Sequence, residues 1–141
     1  MAYWFLQSKK GKRFQSCVID TFTQIQDICL KQILKETKKP NPTKREWGLL
    51  GNRLKPWIYH YRDLPQNVMF LCHDRVSDIE VSEDEDQIIS EVGPRLSPSI
   101  ASALCGAVKV IGQTYIYEKD KKGKEDEEDV EYRLRLGAHT Y

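Results

Sequence analysis

Two short apolar runs, each ending in a polar residue, restrict the fold of this chain more than any other feature. The first is Phe14 to Asp20 (FQSCVID), and the second is Val68 to Cys72 (VMFLC), followed at once by His73, Asp74 and Arg75. The second run has no charge and no apolar–polar alternation, as in a parallel strand covered on both faces. The first has the β-branched residues Val18 and Ile19 and the length of a buried strand.

Between the two runs the period changes. Phe22, Ile25, Ile28, Cys29 and Ile33 recur at three- and four-residue steps, with Gln24, Asp27, Lys31 and Lys35 interspersed. That spacing predicts an amphipathic helix laid on a sheet. Lys38 to Pro42 (KKPNP) breaks it, because two prolines cannot continue a helix. Thr43 with Glu46 three residues on then matches a capping box. The next helix carries Trp47, Leu50, Leu54, Trp57, Ile58 and Tyr61 on a helical period, and Pro56 inside it is expected to kink or split it.

Beyond Cys72 the acidic stretch from Ser77 to Asp86 reads as a solvated loop or a hairpin tip, and Ile88 to Val92 as a short strand. Ser97 and Pro98 suit an N-cap and first helical position, opening a helix with Ile100, Ala101, Leu104, Cys105 and Val108. Val110 to Glu118 is rich in β-branched and aromatic residues, and Val130 to Leu136 alternates. With the charged turn Lys119 to Asp129 they form an expected antiparallel hairpin at the sheet edge. The order predicts an α/β fold with a mainly parallel sheet flanked by helices.

A length of 141 residues suits one domain, and a net charge of +1 exerts no global pull on nucleic acid or membrane. Cys17, Cys29, Cys72 and Cys105 form no C-x-x-C pair and lie in apolar runs, so they read as reduced, buried side chains, with the cytoplasm as the expected compartment. The N-terminal stretch has its apolar patch (Tyr3 to Leu6) before its basic residues (Lys9 to Arg13), the reverse of a signal peptide. No apolar run is long enough for a membrane helix, so no membrane partner is expected.

Three positions carry candidate chemistry. Asp20 ends a strand and is followed by Thr21, in the form of a Walker B strand. An acid at the carboxyl end of a parallel strand faces the ligand crevice of an open α/β sheet. It can hold Mg²⁺ there through a bound water, although an Asp at this place also serves as a helix N-cap. His73 ends the other run and would share that rim, as a phosphate sensor or as a histidine bonded to a carboxylate such as Asp74. Arg95, between Pro94 and a helix start, either reaches a phosphate or a neighbouring subunit or is simply solvated. The basic clusters Lys9–Arg13, Lys38–Arg45 and Lys119–Lys124 lack interleaved aromatics and read as solvated surface. No G-x-x-x-x-G-K-[ST], G-x-S-x-G or H-E-x-x-H occurs in these residues.

The order of the segments CVIDTFTQIQ, WGLLGNRLKPWIYHYRDLPQNVMFLCHDRV, GPRLSPSIASALCGAVKVIGQTYIYE and EYRLRLGAHTY resembles the AAA-type, RecA-like ATPases of phages and prophages, including those linked to single-strand annealing and recombination. The likeness runs from about Phe14 to Tyr141. Asp20 and Thr21 match the Walker B step. Arg62 to Pro65 match the "RDLP" step into a strand ending at His73, and Pro94, Leu96 and Pro98 match a proline-rich step before a short helix. The resemblance implies a partial P-loop NTPase domain over residues 14–141, behind an N-terminal extension over 1–13, with ATP and Mg²⁺ as ligands once another chain or segment completes the site. Asp20 would hold Mg²⁺ through water, Thr21 and Arg95 would contact the nucleotide, and His73 would act as a sensor. It also implies single-stranded DNA as the larger partner and assembly as a homo-oligomer or with a chain supplying the phosphate loop. Independent hydrolysis is not expected without that loop. A non-catalytic interaction module that retains the fold is the alternative expectation, with Tyr3, Trp4, Phe5 and Leu6 as its partner surface.

Overall fold

The computed structural model describes residues 2–80, 88–118 and 130–136. Four helices are seen among them: α1 (Ala2–Gln7), α2 (Phe22–Thr37), α3 (Lys44–Arg62) and α4 (Pro98–Ala107). The strands are β1 (Ser16–Ile19), β2 (Asn67–Phe70), β3 (Asp74–Glu80), β4 (Ile88–Pro94), β5 (Gly112–Glu118) and β6 (Val130–Leu136).

The two apolar runs pair as expected. β1 and β2 are parallel, in the register Ser16↔Asn67, Cys17↔Val68, Val18↔Met69 and Ile19↔Phe70. Among the described residues this pair is the whole of the parallel sheet, so the broad parallel sheet of the sequence expectation is not seen. The remaining strands form two antiparallel hairpins, β3–β4 and β5–β6. The β5–β6 hairpin fits the alternation of its sequence. The strand β3 pairs residues 74–80 against β4 and so takes in the first part of the Ser77–Asp86 stretch, which the sequence presents as a solvated loop or a hairpin tip. The rest of the acidic stretch (81–87) and the charged turn (119–129) lie outside the described residues.

The core forms where α2, α3 and α4 meet the inner face of β1–β2. Phe22, Ile33, Leu50, Ile58 and Ile100 are fully buried. Each such side chain contributes about 1.5–3 kcal/mol by leaving water. Phe22 is central, edge-on to Phe70 at 5.5 Å and near-parallel to Trp57 at 6.4 Å. The outer face of the pair is open, with Val18 and Met69 exposed.

On α2 the buried stripe runs through Phe22, Gln26 and Ile33, with Cys29 half-buried between them. Ile28 lies off that stripe and is exposed, contrary to the apolar face read from the sequence. The helix ends at Lys38, which adopts a left-handed conformation (φ 53°) and donates its N–H to Leu34 and Lys35 carbonyls.

The capping box of α3 is present. The Thr43 N–H donates to Glu46 Oε2 at 2.9 Å, and the Thr43 hydroxyl donates to the same oxygen. Lys39 Nζ lies 3.5 Å from Glu46 Oε1. The Thr43 hydroxyl, then its N–H and the Lys39 charge, hold the Glu46 carboxyl down at about 2. α3 runs through Pro56 as one helix, so the proline does not end it. Pro56 and Asn52, whose carbonyl loses its intrahelical donor, are both exposed residues, on the side of the helix that meets solvent.

The N-terminal stretch packs onto this core. Leu6 is buried, Tyr3 lies 5.8 Å from Tyr61, and the buried Gln66 amide donates to the carbonyls of Leu6 (3.1 Å) and Gly11 (3.4 Å). A Cβ at Gly11 would stand 1.9 Å from the Phe5 carbonyl oxygen, so only glycine fits this crossing.

Candidate functional site

The carboxyl ends of β1 and β2 carry the residues singled out from the sequence. Pairing continues one step past the strands: Leu71 donates its N–H to Ile19 O at 3.0 Å, and Phe22 donates its N–H to Leu71 O at 2.7 Å. Asp20 and Thr21 are therefore pinned between two bonds to one residue, in a turn whose Asp20–Thr21 peptide is cis.

The helix-capping alternative for Asp20 is met by its neighbour. Thr21 is the N-cap of α2, its Oγ1 accepting from Gln24 N–H at 3.2 Å. Asp20 is exposed, and among the described residues its carboxylate makes no hydrogen bond or ion pair. A charged oxygen pair at the rim of a parallel sheet is thus left open.

His73 and Arg95 meet directly. Arg95 donates its backbone N–H to His73 O at 2.8 Å, and Arg95 Nη2 lies 3.3 Å from His73 Nδ1. Asp74, the carboxylate first weighed as a histidine partner, instead opens β3. Arg95 also faces Asp27, with Nη2 3.8 Å from Oδ2.

The first turns of α2 set this geometry. Thr23, nearly fully buried, accepts the His73 N–H on its Oγ1 at 3.1 Å. Gln26, also buried, accepts the Ser97 N–H on its Oε1 at 2.7 Å. The helix that starts at the Asp20 turn therefore holds both the loop after β2 and the loop after β4.

Thr23, Gln26 and Asp27 were missed as site residues by sequence reasoning. The usable signal was Gln26, a polar residue four positions after Phe22 and so inside the apolar stripe of α2. Nearby, burial pushes the Cys72 thiol up to about 11, with Cys105 adding to the effect, so Cys72 is not a thiolate nucleophile at neutral pH. All four cysteines are free.

A family model for the AAA domain matches residues 2–135. The chain belongs to the AAA domain family. No curated protein and no solved structure matches it.

AAA domains are P-loop NTPases, and the family binds ATP with Mg²⁺. The β1–β2 rim of this AAA domain carries side chains with the chemistry that the phosphate end of such a ligand would need. Asp20 has a carboxylate unpaired among the described residues, which would be a sufficient protein ligand for an ion that keeps most of its waters. Arg95 has a planar cation with several N–H donors that are unused among the described residues. Among the described residues no cluster of three metal-ligating side chains exists, so this AAA domain offers no all-protein cage. Among the described residues, too, no helix is long and apolar enough to cross a membrane.

Proposed function

We propose that the chain is an ATP-binding, RecA-like module of a phage-type DNA recombination or annealing protein, with the nucleotide's phosphates at the carboxyl rim of β1–β2. The observation that carries this is the free Asp20 carboxylate beside a Thr21-capped helix, at the same rim as the joined pair His73 and Arg95.

In this role Asp20 holds the hydrated Mg²⁺, which would neutralise phosphate charge when bound. The Thr21 hydroxyl, with its oxygen engaged at the cap, keeps its proton free to donate. His73 senses the terminal phosphate, and Arg95 binds it through its planar fork. The phosphate-cradling loop comes from another segment or another chain, so hydrolysis needs that completion. The β1–β2 pair corresponds to part of a larger RecA-like parallel sheet in the completed assembly. Single-stranded DNA is the larger partner, engaged by an oligomer.

A second reading, a partner-binding module without nucleotide chemistry, draws on Trp4, 73 % exposed, and Phe5, 47 % exposed, at the N-terminus. Calorimetry with Mg·ATP separates the two. Micromolar binding, on the order of −8 kcal/mol, that disappears in Asp20→Ala supports the nucleotide site. Absence of binding up to millimolar ATP supports the partner module.

A further inference from the structure

The α2 residues at the rim divide into two kinds. Thr23 and Gln26 are buried and hold backbone N–H groups, so they are fixed parts of the frame. Asp27 is half exposed and holds only a side chain, the guanidinium of Arg95, itself 54 % exposed. Their closest approach of 3.8 Å is longer than a hydrogen bond. The contact is one of charge alone, and exposed pairs of this kind are weak and easily exchanged.

Arg95 is correspondingly underused. Among the described residues its side chain meets one ring nitrogen of His73 and the Asp27 charge, which leaves most of its five donors without a partner there. A phosphate group takes two of those donors at once and carries more charge than a carboxylate. It would also be repelled by Asp27 if that side chain stayed in place.

We propose that Asp27 is a displaceable counter-ion, which holds Arg95 beside α2 until a phosphate group takes the guanidinium from it. This rests on the rim being the phosphate end of a nucleotide site and adds how that site is kept when no anion is bound. Asp27 is thereby a positioning residue: it sets the cost of recruiting Arg95 and touches no ligand.

The test is a double-mutant cycle with inorganic pyrophosphate and with Mg·ATP as probes, on wild type, Asp27→Asn, Arg95→Ala and the double variant. Asp27→Asn is expected to tighten pyrophosphate binding by about threefold, the strength of an exposed pair. In the Arg95→Ala background the same change is expected to give a clearly smaller gain, since only the general repulsion by the Asp27 charge is then relieved. An equal gain in both backgrounds would show a general charge effect and overturn the proposal while leaving the rim as an anion site. No pyrophosphate binding to any of the four proteins overturns both. Without ligand, the Arg95 Nη–H resonances, which face Asp27, should exchange faster with water in Asp27→Asn than in wild type. An unchanged rate overturns the counter-ion role directly.

Discussion

Arg95 Nη2 stands 3.3 Å from Nδ1 of His73, joining the loop after β2 to the loop after β4 through their side chains. A guanidinium has donors only, so His73 Nδ1 is the acceptor and the ring proton sits on Nε2. The Nε2–H then points away from Arg95 and has no hydrogen-bond partner among the described residues. Nitrogen chemical shifts of the His73 imidazole are expected to report the Nε2–H tautomer in wild type and a mixture of tautomers in Arg95→Ala. A wild-type ring protonated on Nδ1 would contradict the contact.

Phe22 joins the Asp20 turn to the core, since its N–H holds Leu71 while its ring packs on Phe70 and Trp57. Phe22→Ala removes a fully buried aromatic and is expected to cost about 3–5 kcal/mol in urea unfolding. Ile28→Ala, on the exposed side of the same helix, is expected to change stability by less than about 0.5 kcal/mol. Similar losses at the two positions would mean that the α2 stripe is oriented differently.

Glu46 makes stability depend on acid. Its carboxyl is held at about 2, against 4.5 for an ordinary glutamate, first by the Thr43 hydroxyl and then by the Thr43 N–H. A lowered folded-state value means that the stabilisation is complete above about 4.5 and is lost as pH falls through about 2. The urea midpoint of wild type minus that of Glu46→Gln should therefore be largest near neutral pH and shrink between these limits. A difference that is flat over this window would contradict the capping box.

Gly11 permits the close crossing of the turn after α1 over the Phe5 carbonyl. Gly11→Ala is expected to lift the N-terminal stretch from Gln66 and Tyr61 and to speed trypsin cleavage at Lys9, Lys10, Lys12 and Arg13 severalfold. Unchanged cleavage would mean that this stretch is not held by the packing at Gly11.

The elements that were legible in the sequence are those with local signals. Val18–Ile19 and VMFLC gave the parallel pair, Thr43 with Glu46 gave the start of α3, and Ser97–Pro98 gave that of α4. The segment DRVSDIE was not legible as β3, because its apolar residues do not stand out and its partner β4 lies beyond an acidic stretch. Asp20 and Thr21 are both good N-cap residues, and only the fold shows that Thr21 takes the cap and frees the carboxylate. The joining of His73 to Arg95 depends on Gln26 and Thr23 reaching loops far along the chain, which no window of sequence contains.

Mapping Mg·ATP onto the backbone and side-chain resonances of the whole chain tests most directly whether the β1–β2 rim is a nucleotide site. Saturable shifts at Asp20, Thr21, His73 and Arg95, lost in Asp20→Ala while its other resonances keep their positions, are the predicted result. Shifts centred elsewhere, or none up to millimolar Mg·ATP, would contradict it.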